Sequence, residues 1–185
     1  RPAYVSVDGV MLGTTLHVAA DVRGVSPQEL YAAVMELDRE AKASMSIYDP
    51  ASLLSRLNRN ETDSVDSHIA FNLRLADSIG SLSGGRYDVT VKPLVEAWGF
   101  AGKERVERPN VDSILEFVGR EKVRIEAGRL VKDDPRVQLD FNSVAKGYVV
   151  DLLAALVEKY GAENYIVDVG GEVRCRGVNP RGDAW

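Results

Sequence analysis

The chain has 185 residues, 45% of them hydrophobic and 28% charged, with a net charge of -5 and acids and bases interleaved along its length. That is a globular rather than a disordered composition, long enough to bury a sizeable core as one domain or as one domain and part of another. No apolar run approaches the roughly 20 residues that cross a bilayer, and no Lys/Arg block offers a footprint for nucleic acid. Cys175 is the single cysteine, so no intramolecular disulfide can form, and one Cys with two His argues against a zinc cage. The chain begins at Arg1 rather than Met and stops at Trp185 inside a strand-like run, which reads as a trimmed or processed piece; a removed signal or anchor segment stays open.

Residues 4–21 combine β-branched residues with rough alternation around Gly9 and Gly13, which predicts two strands or one bent strand. Ser26, Pro27 and Glu29 form a helix start: a capping Ser, Pro at the first helical position and an acid in the first turn. Leu30, Val34, Leu37 and Ala41 recur behind it at helical spacing as a core-facing stripe. A polar turn at Ser46–Pro50 leads to a short helix over Ser52–Asn58. Ile69, Leu73, Ala76 and Ile79 then mark an amphipathic helix that Gly84-Gly85 ends. A short helical pattern lies near Asp112–Val118, and KVRIEAGRLVKD predicts a hairpin turning at Ala127-Gly128. The stretch LDFNSVAKGYVVDLLAALVEKYG runs from strand into helix, followed by the strand NYIVDV, the pair Gly170-Gly171 and EVRCRGV. Strands that pair as hairpins, with helices between them in irregular order, predict an α+β fold with a mostly antiparallel sheet. No internal repeat or low-complexity linker divides the chain.

Four places could carry chemistry. In LDFNSVAKGYVVD, the residues Val144, Tyr148, Asp151 or Leu152, and Ala155 step at helical spacing, with Asn142 or Ser143 as the cap. The free N–H groups and partial positive charge of such a helix start suit an anion or phosphate. Lys146 in the first turn opposes the dipole unless an anion stands nearby; the plainer reading leaves Lys146 solvated and makes Asp140 the partner of a backbone amide. The segment GGRYDVTVKPLVEAWGF offers close backbone approach, flat faces at Tyr87 and Trp98, and hydrogen-bond partners at Asp88 and Thr90, a set that suits a heterocycle joined to a phosphate. Its plainer reading has Tyr87 and Trp98 in the core and Asp88 opening a turn. Tyr48 stands on a turn before a helix, and Gly170-Gly171 is explained equally well as a tight turn. His17, in a strand, and His68, near a helix start, read as structural. Cys175 reads as a small core residue. No Ser–His or Cys–His pairing, P-loop or dinucleotide fingerprint is present.

The order of LGTTLHV, MSIYDPASLLSRLN, GGRYDVTVKPLVEAWGF, LDFNSVAKGYVVD and YIVDVGGEVRCRG resembles the ApbE family of FAD:protein FMN transferases, from about Leu12 to Trp185. The resemblance implies a T-fold-like α+β protein of which residues 1–185 are the N-terminal part, incomplete relative to the full family domain. It implies binding of FAD and, with Mg²⁺, transfer of FMN to a Thr hydroxyl of a target protein with release of AMP. By position, Leu12 falls where the family usually has a flavin-contacting Met, and Tyr48 at a flavin-contacting Tyr. Arg86, Tyr87 and Asp88 fall in the contact loop, Asp140 and Lys146 at FAD-contacting positions, and Ser143 at a metal-ligand position. The family's later His-x-Ile-Asp-Pro-like motif and its acidic and Thr metal motif are not in this sequence, so the catalytic residues are expected beyond Trp185 and the isolated piece is expected to be inactive or weak. The implied partner is a target flavoprotein subunit of a membrane redox complex. The implied location is the periplasm or the outer face of the cytoplasmic membrane, with a lipid anchor as an open question. An FAD-binding protein or FAD pyrophosphatase without transfer, and a non-catalytic interaction module, are the alternatives.

Overall fold

A computed structural model describes residues 3–185. In chain order its elements are β1 (Val5–Met11), β2 (Thr14–Ala20), α1 (Pro27–Met45), α2 (Leu53–Asn58), α3 (Ser67–Leu82), α4 (Lys92–Ala97), α5 (Val111–Leu115), a 3-10 turn at Arg120–Lys122, β3 (Val123–Glu126), β4 (Arg129–Lys132), α6 (Asn142–Lys159), β5 (Tyr165–Val169) and β6 (Glu172–Arg176). The α+β class and the antiparallel pairing expected from the sequence are both present. Two compact units result, one from Arg1–Ala41 with Ala145–Trp185 and the other from Lys42–Val144.

The first unit is built on an antiparallel sheet in the order β1-β2-β5-β6. Residues 4–21 make two strands rather than one bent strand, because Leu12 and Gly13 turn the chain at φ 51° and 73°. Alternation then sorts side chains by face. Val7, Met11, Leu16, Val18, Ala20, Tyr165, Val167 and Val169 are buried on one face. The helices supply matching stripes, Leu30, Val34 and Ala41 from α1 and Val149, Val150, Leu153, Ala154 and Val157 from α6. Each such Val or Leu side chain contributes roughly 1.5–3 kcal/mol by leaving water. The start of α1 is the expected capping box: Glu29 N–H donates to Ser26 Oγ at 3.2 Å, and Ser26 N–H to the Glu29 carboxylate at 2.8 Å.

Two expectations are corrected in this unit. The buried stripe of α6 is not Val144, Tyr148, Asp151 or Leu152, and Ala155; Asp151 and Ala155 are exposed, and the core takes the neighbouring positions. The run VVDLLAALV is apolar on most sides, so helical spacing can be drawn in more than one phase; packing buries Val149, Val150, Leu153, Ala154 and Val157, and charged pairs border that side. Lys146 pairs with Glu172 at 2.7 Å, Asp151 with Arg174 at 2.8 Å and Glu158 with Arg176 at 3.7 Å. Register explains this ladder: Glu172, Arg174 and Arg176 lie opposite Val169, Val167 and Tyr165, on the core face of the sheet. Cys175 is therefore on the other face with Val173 and is exposed, not a core residue.

In the second unit, α2 is capped by Ser52, whose Oγ accepts from Ser55 N–H at 3.0 Å. Its far end is held by Lys132, which donates to Leu57 O at 2.8 Å. Asp66 caps α3, and Gly84 and Gly85 end it as expected, with Gly85 N–H returning to Gly80 O at 2.8 Å. The hairpin β3–β4 turns at Ala127 and Gly128, both at positive φ. Buried Asn58 makes reciprocal bonds with one peptide, donating to Leu139 O at 2.9 Å and accepting from Leu139 N–H at 2.8 Å. Those bonds fix the extended segment 137–141, where Val137, Leu139 and Phe141 are buried in alternation.

The turn between β5 and β6 requires glycine. Gly170 has φ 58°, and a Cβ there would lie 2.6 Å from Thr14 Cγ2. Gly170→Ala is expected to destabilise the chain by about 1–3 kcal/mol, read as a lower urea midpoint. Gly171→Ala would meet nothing within 4 Å but keeps the backbone strain of φ 94°, so it should shift the midpoint by that strain alone and by less than Gly170→Ala.

Candidate functional site

Two motif segments are joined through the backbone, because Asp140 N–H donates to Val89 O at 3.0 Å. Asp88, beside Val89, is committed on both oxygens. Its Oδ1 accepts from Thr90 N–H at 2.8 Å and from the Thr90 hydroxyl at 2.6 Å, while Oδ2 accepts from Arg120 N–H at 2.9 Å. Thr90 Oγ1 in turn accepts from Gly119 N–H at 2.7 Å. Asp88 therefore ties the loop after α3 to the 3-10 turn. Tyr87 is half-buried, its N–H donating to Ser83 Oγ at 3.1 Å and its hydroxyl lying 3.0 Å from Ser143 Oγ. Arg86 is exposed.

At the start of α6, Asp140 Oδ1 accepts from Asn142 N–H at 2.8 Å. The side chain that covers this helix start is thus Asp140, and neither Asn142 nor Ser143 is the cap. Desolvation pushes the Asp140 carboxyl above its usual range, against the opposing pull of the Asn142 amide and the Lys92 charge. Ser143 is exposed in the first turn. The structure thus brings Tyr87, Asp88, Asp140 and Ser143 together within the unit Lys42–Val144.

The remaining candidates stand elsewhere. Tyr48, 68% exposed, lies on the turn before α2, with its N–H on Ser46 Oγ at 3.1 Å. Leu12 and Lys146 belong to the other unit. Leu12 N–H donates to buried Asp38 at 2.9 Å, and the anion that the dipole argument required beside Lys146 is Glu172. Trp98 is not a core residue; it is 44% exposed, with the Arg105 guanidinium 5.3 Å from its ring centre. Gly170-Gly171 forms the tight turn, closed by Gly171 N–H on Asp168 Oδ1 at 2.9 Å. His17 pairs with Asp8 at 2.7 Å on the open side of the sheet. A groove of about 500 Å³, lined by Leu57, Asn60, Asp63 and Lys132 among others, contains none of the sequence candidates.

Sequence reasoning missed Lys92, Glu96 and Gln138. Lys92 is 8% exposed and donates to Glu96 Oε1 and, at 3.1 Å, to Gln138 Oε1. The signal was available as Lys and Glu four apart in KPLVE. Asp38 was also missed, although it is an acid placed one helical turn from Val34 on an apolar stripe.

Residues 12–185 match the ApbE family. The chain belongs to the ApbE family. FAD:protein FMN transferase of Haemophilus influenzae is 33% identical over 196 residues, covering 98% of this chain and 57% of the relative. Its counterpart in Salmonella typhimurium is 31% identical over 199 residues, covering 100% and 56%. The solved flavin transferase ApbE from Vibrio cholerae superposes with TM-score 0.91 at 32% identity, over 99% of this chain and 62% of that one. The apo flavinyl transferase ApbE from Pseudomonas stutzeri gives TM-score 0.92 at 26% identity, over 100% and 64%. The chain thus spans somewhat more than half the length of these ApbE relatives. Among its described residues no group of three or more His, Cys, Asp or Glu could hold a metal ion, and no helix is long and apolar enough to cross a membrane.

The Asp88 network makes a direct prediction. Asp88→Asn turns one carboxylate oxygen into an NH₂ facing a backbone N–H, so it should cost about 1–3 kcal/mol of stability in urea unfolding.

Proposed function

We propose that this chain is the flavin-nucleotide-binding part of an FAD:protein FMN transferase. The family match over residues 12–185 carries the reading, and the relatives bearing that activity support it. In this reading FAD is a substrate. A Thr hydroxyl of a target protein attacks the FMN-side phosphorus, the bond to the AMP oxygen breaks, and AMP leaves. The hydroxyl proton goes to a base that is not among these residues. The target is a flavoprotein subunit of a membrane redox complex, and the reaction takes place in the periplasm or at the outer face of the cytoplasmic membrane.

The chain's own residues have separable tasks. Tyr48 and Tyr87 offer aromatic faces to the flavin, with Leu12 as an apolar contact where the family usually has Met. Asp88 positions the Arg86–Asp88 loop through Thr90 and Arg120. Lys146 meets phosphate by exchanging its Glu172 partner for the ligand. Mg²⁺ belongs to the same proposal, where it would neutralise phosphate charge with hard oxygen ligands. Ser143 offers one ligand position, and the described residues supply no cluster for the rest, so the chemistry assigned here does not run through the metal.

Titration of the 185-residue chain with FAD, followed by flavin fluorescence with and without Mg²⁺ and by an assay for AMP, tests the reading. Micromolar binding with little or no AMP is expected, since the later His and acidic motifs are not in the chain. Absence of binding would overturn the assignment of the nucleotide site, and robust transfer would overturn the assignment of catalysis elsewhere. Glu172→Gln frees Lys146 and should tighten FAD a few-fold, about 1 kcal/mol in binding free energy.

A further inference from the structure

Lys92 opens α4 at a depth where lysine is rare unless paired. Its ammonium donates to Glu96 Oε1, one turn along α4, and to Gln138 Oε1 at 3.1 Å. Gln138 and Asp140 are alternate residues of the extended segment whose other side buries Val137, Leu139 and Phe141. They are therefore presented to the same side. The bond from Asp140 N–H to Val89 O anchors the segment three residues before Lys92. Two charges act on the Asp140 carboxyl from α4: Lys92 favours its ionised form and Glu96 disfavours it. A Lys–Glu pair this deep is a poor stabiliser by itself, because desolvation offsets most of the attraction. Its position beside Gln138 and Asp140 gives it a second task.

We infer that Lys92, held between Glu96 and Gln138, is a positioning residue that keeps the Asp140 carboxylate ionised and able to accept hydrogen bonds. The inference rests on the proposed nucleotide contact of Asp140 and narrows it. A carboxylate accepts from N–H and O–H groups and repels phosphate. Asp140 accordingly takes the donor groups of the flavin nucleotide, its ring N–H, amine or sugar hydroxyls, while phosphate falls to Lys146.

The test follows the Asp140 side-chain carboxyl carbon by NMR pH titration of the ligand-free chain, with its resonance identified by loss in Asp140→Asn. Lys92→Met removes the favourable charge and leaves Glu96 unopposed, so the midpoint should rise by about one pH unit. Lys92→Arg should restore it. Lys92→Met combined with Glu96→Leu removes both charges and should raise it by less; this pair carries the test if Lys92→Met alone fails to fold. An unchanged midpoint in folded Lys92→Met, or in the folded double variant where Lys92→Met does not fold, overturns the inference. FAD titration of the same variants separates it from the reading it rests on. If Asp140→Asn binds FAD as tightly as the parent while the Lys92→Met midpoint still rises, the nucleotide contact fails and the control of Asp140 by Lys92 stands. If Asp140→Asn weakens FAD several-fold but the midpoint does not move, the contact stands and the role of Lys92 is rejected.

Discussion

The hydrogen bond from the Asp140 amide to the Val89 carbonyl joins two segments that lie about fifty residues apart in the chain. One is the loop after α3, which carries Arg86, Tyr87 and Asp88; the other is the run into α6, which carries Asp140 and Ser143. Neither segment could hold its position alone, since Gly84 and Gly85 make the first permissive and the second is a short extended stretch. Asn58 secures that stretch from one side through Leu139. Asp88 secures the loop from the other through Thr90 and Arg120. The Tyr87–Ser143 contact and the Lys92–Gln138 contact are consequences of the same alignment.

Much of the fold was legible where local chemistry and tertiary demand agree. Ser26 with Glu29, Ser52 before α2, Gly84-Gly85 after α3 and Ala127-Gly128 between β3 and β4 each specify a helix end or a turn by conformation and hydrogen bonding within a few residues. Legibility failed where the deciding partner is distant in sequence. The phase of α6 is set by which apolar side packs into the core, with Glu172, Arg174 and Arg176, which follow the helix, pairing at its border, and Cys175 could be placed only once the sheet face of β6 was known. The site shows the same division. Motif order pointed to Asp88, Asp140 and Lys146, but spacing could not reveal that both Asp88 oxygens already accept from Thr90 and Arg120 or that Lys146 already has a carboxylate partner.

Charge carries much of the organisation around these residues. Asp140 is held by a neighbouring amide and influenced from α4, Lys146 is answered by Glu172, and Leu12 is fixed through Asp38. A ligand that met any one of these residues would spend part of its binding energy on exchanging that residue's existing partner. Discrimination follows, because a ligand is retained only if it replaces the bonds it displaces.

The ion ladder between α6 and β6 bears on how the sheet responds to its medium. Every residue of β6 is exposed, so this strand leans on its helix through Lys146–Glu172, Asp151–Arg174 and Glu158–Arg176 rather than through apolar side chains. Such partly exposed pairs weaken as dissolved salt shortens the Debye length from about 10 Å at 0.1 M to about 3 Å at 1 M. Rising ionic strength would therefore loosen the sheet at this margin while β1, β2 and β5, packed through Val7, Val18 and Val167, hold their places. Amide hydrogen exchange would show the difference as a gradient across the sheet, fastest at β6 and slowest in the central strands β2 and β5, whose core-facing side chains are buried.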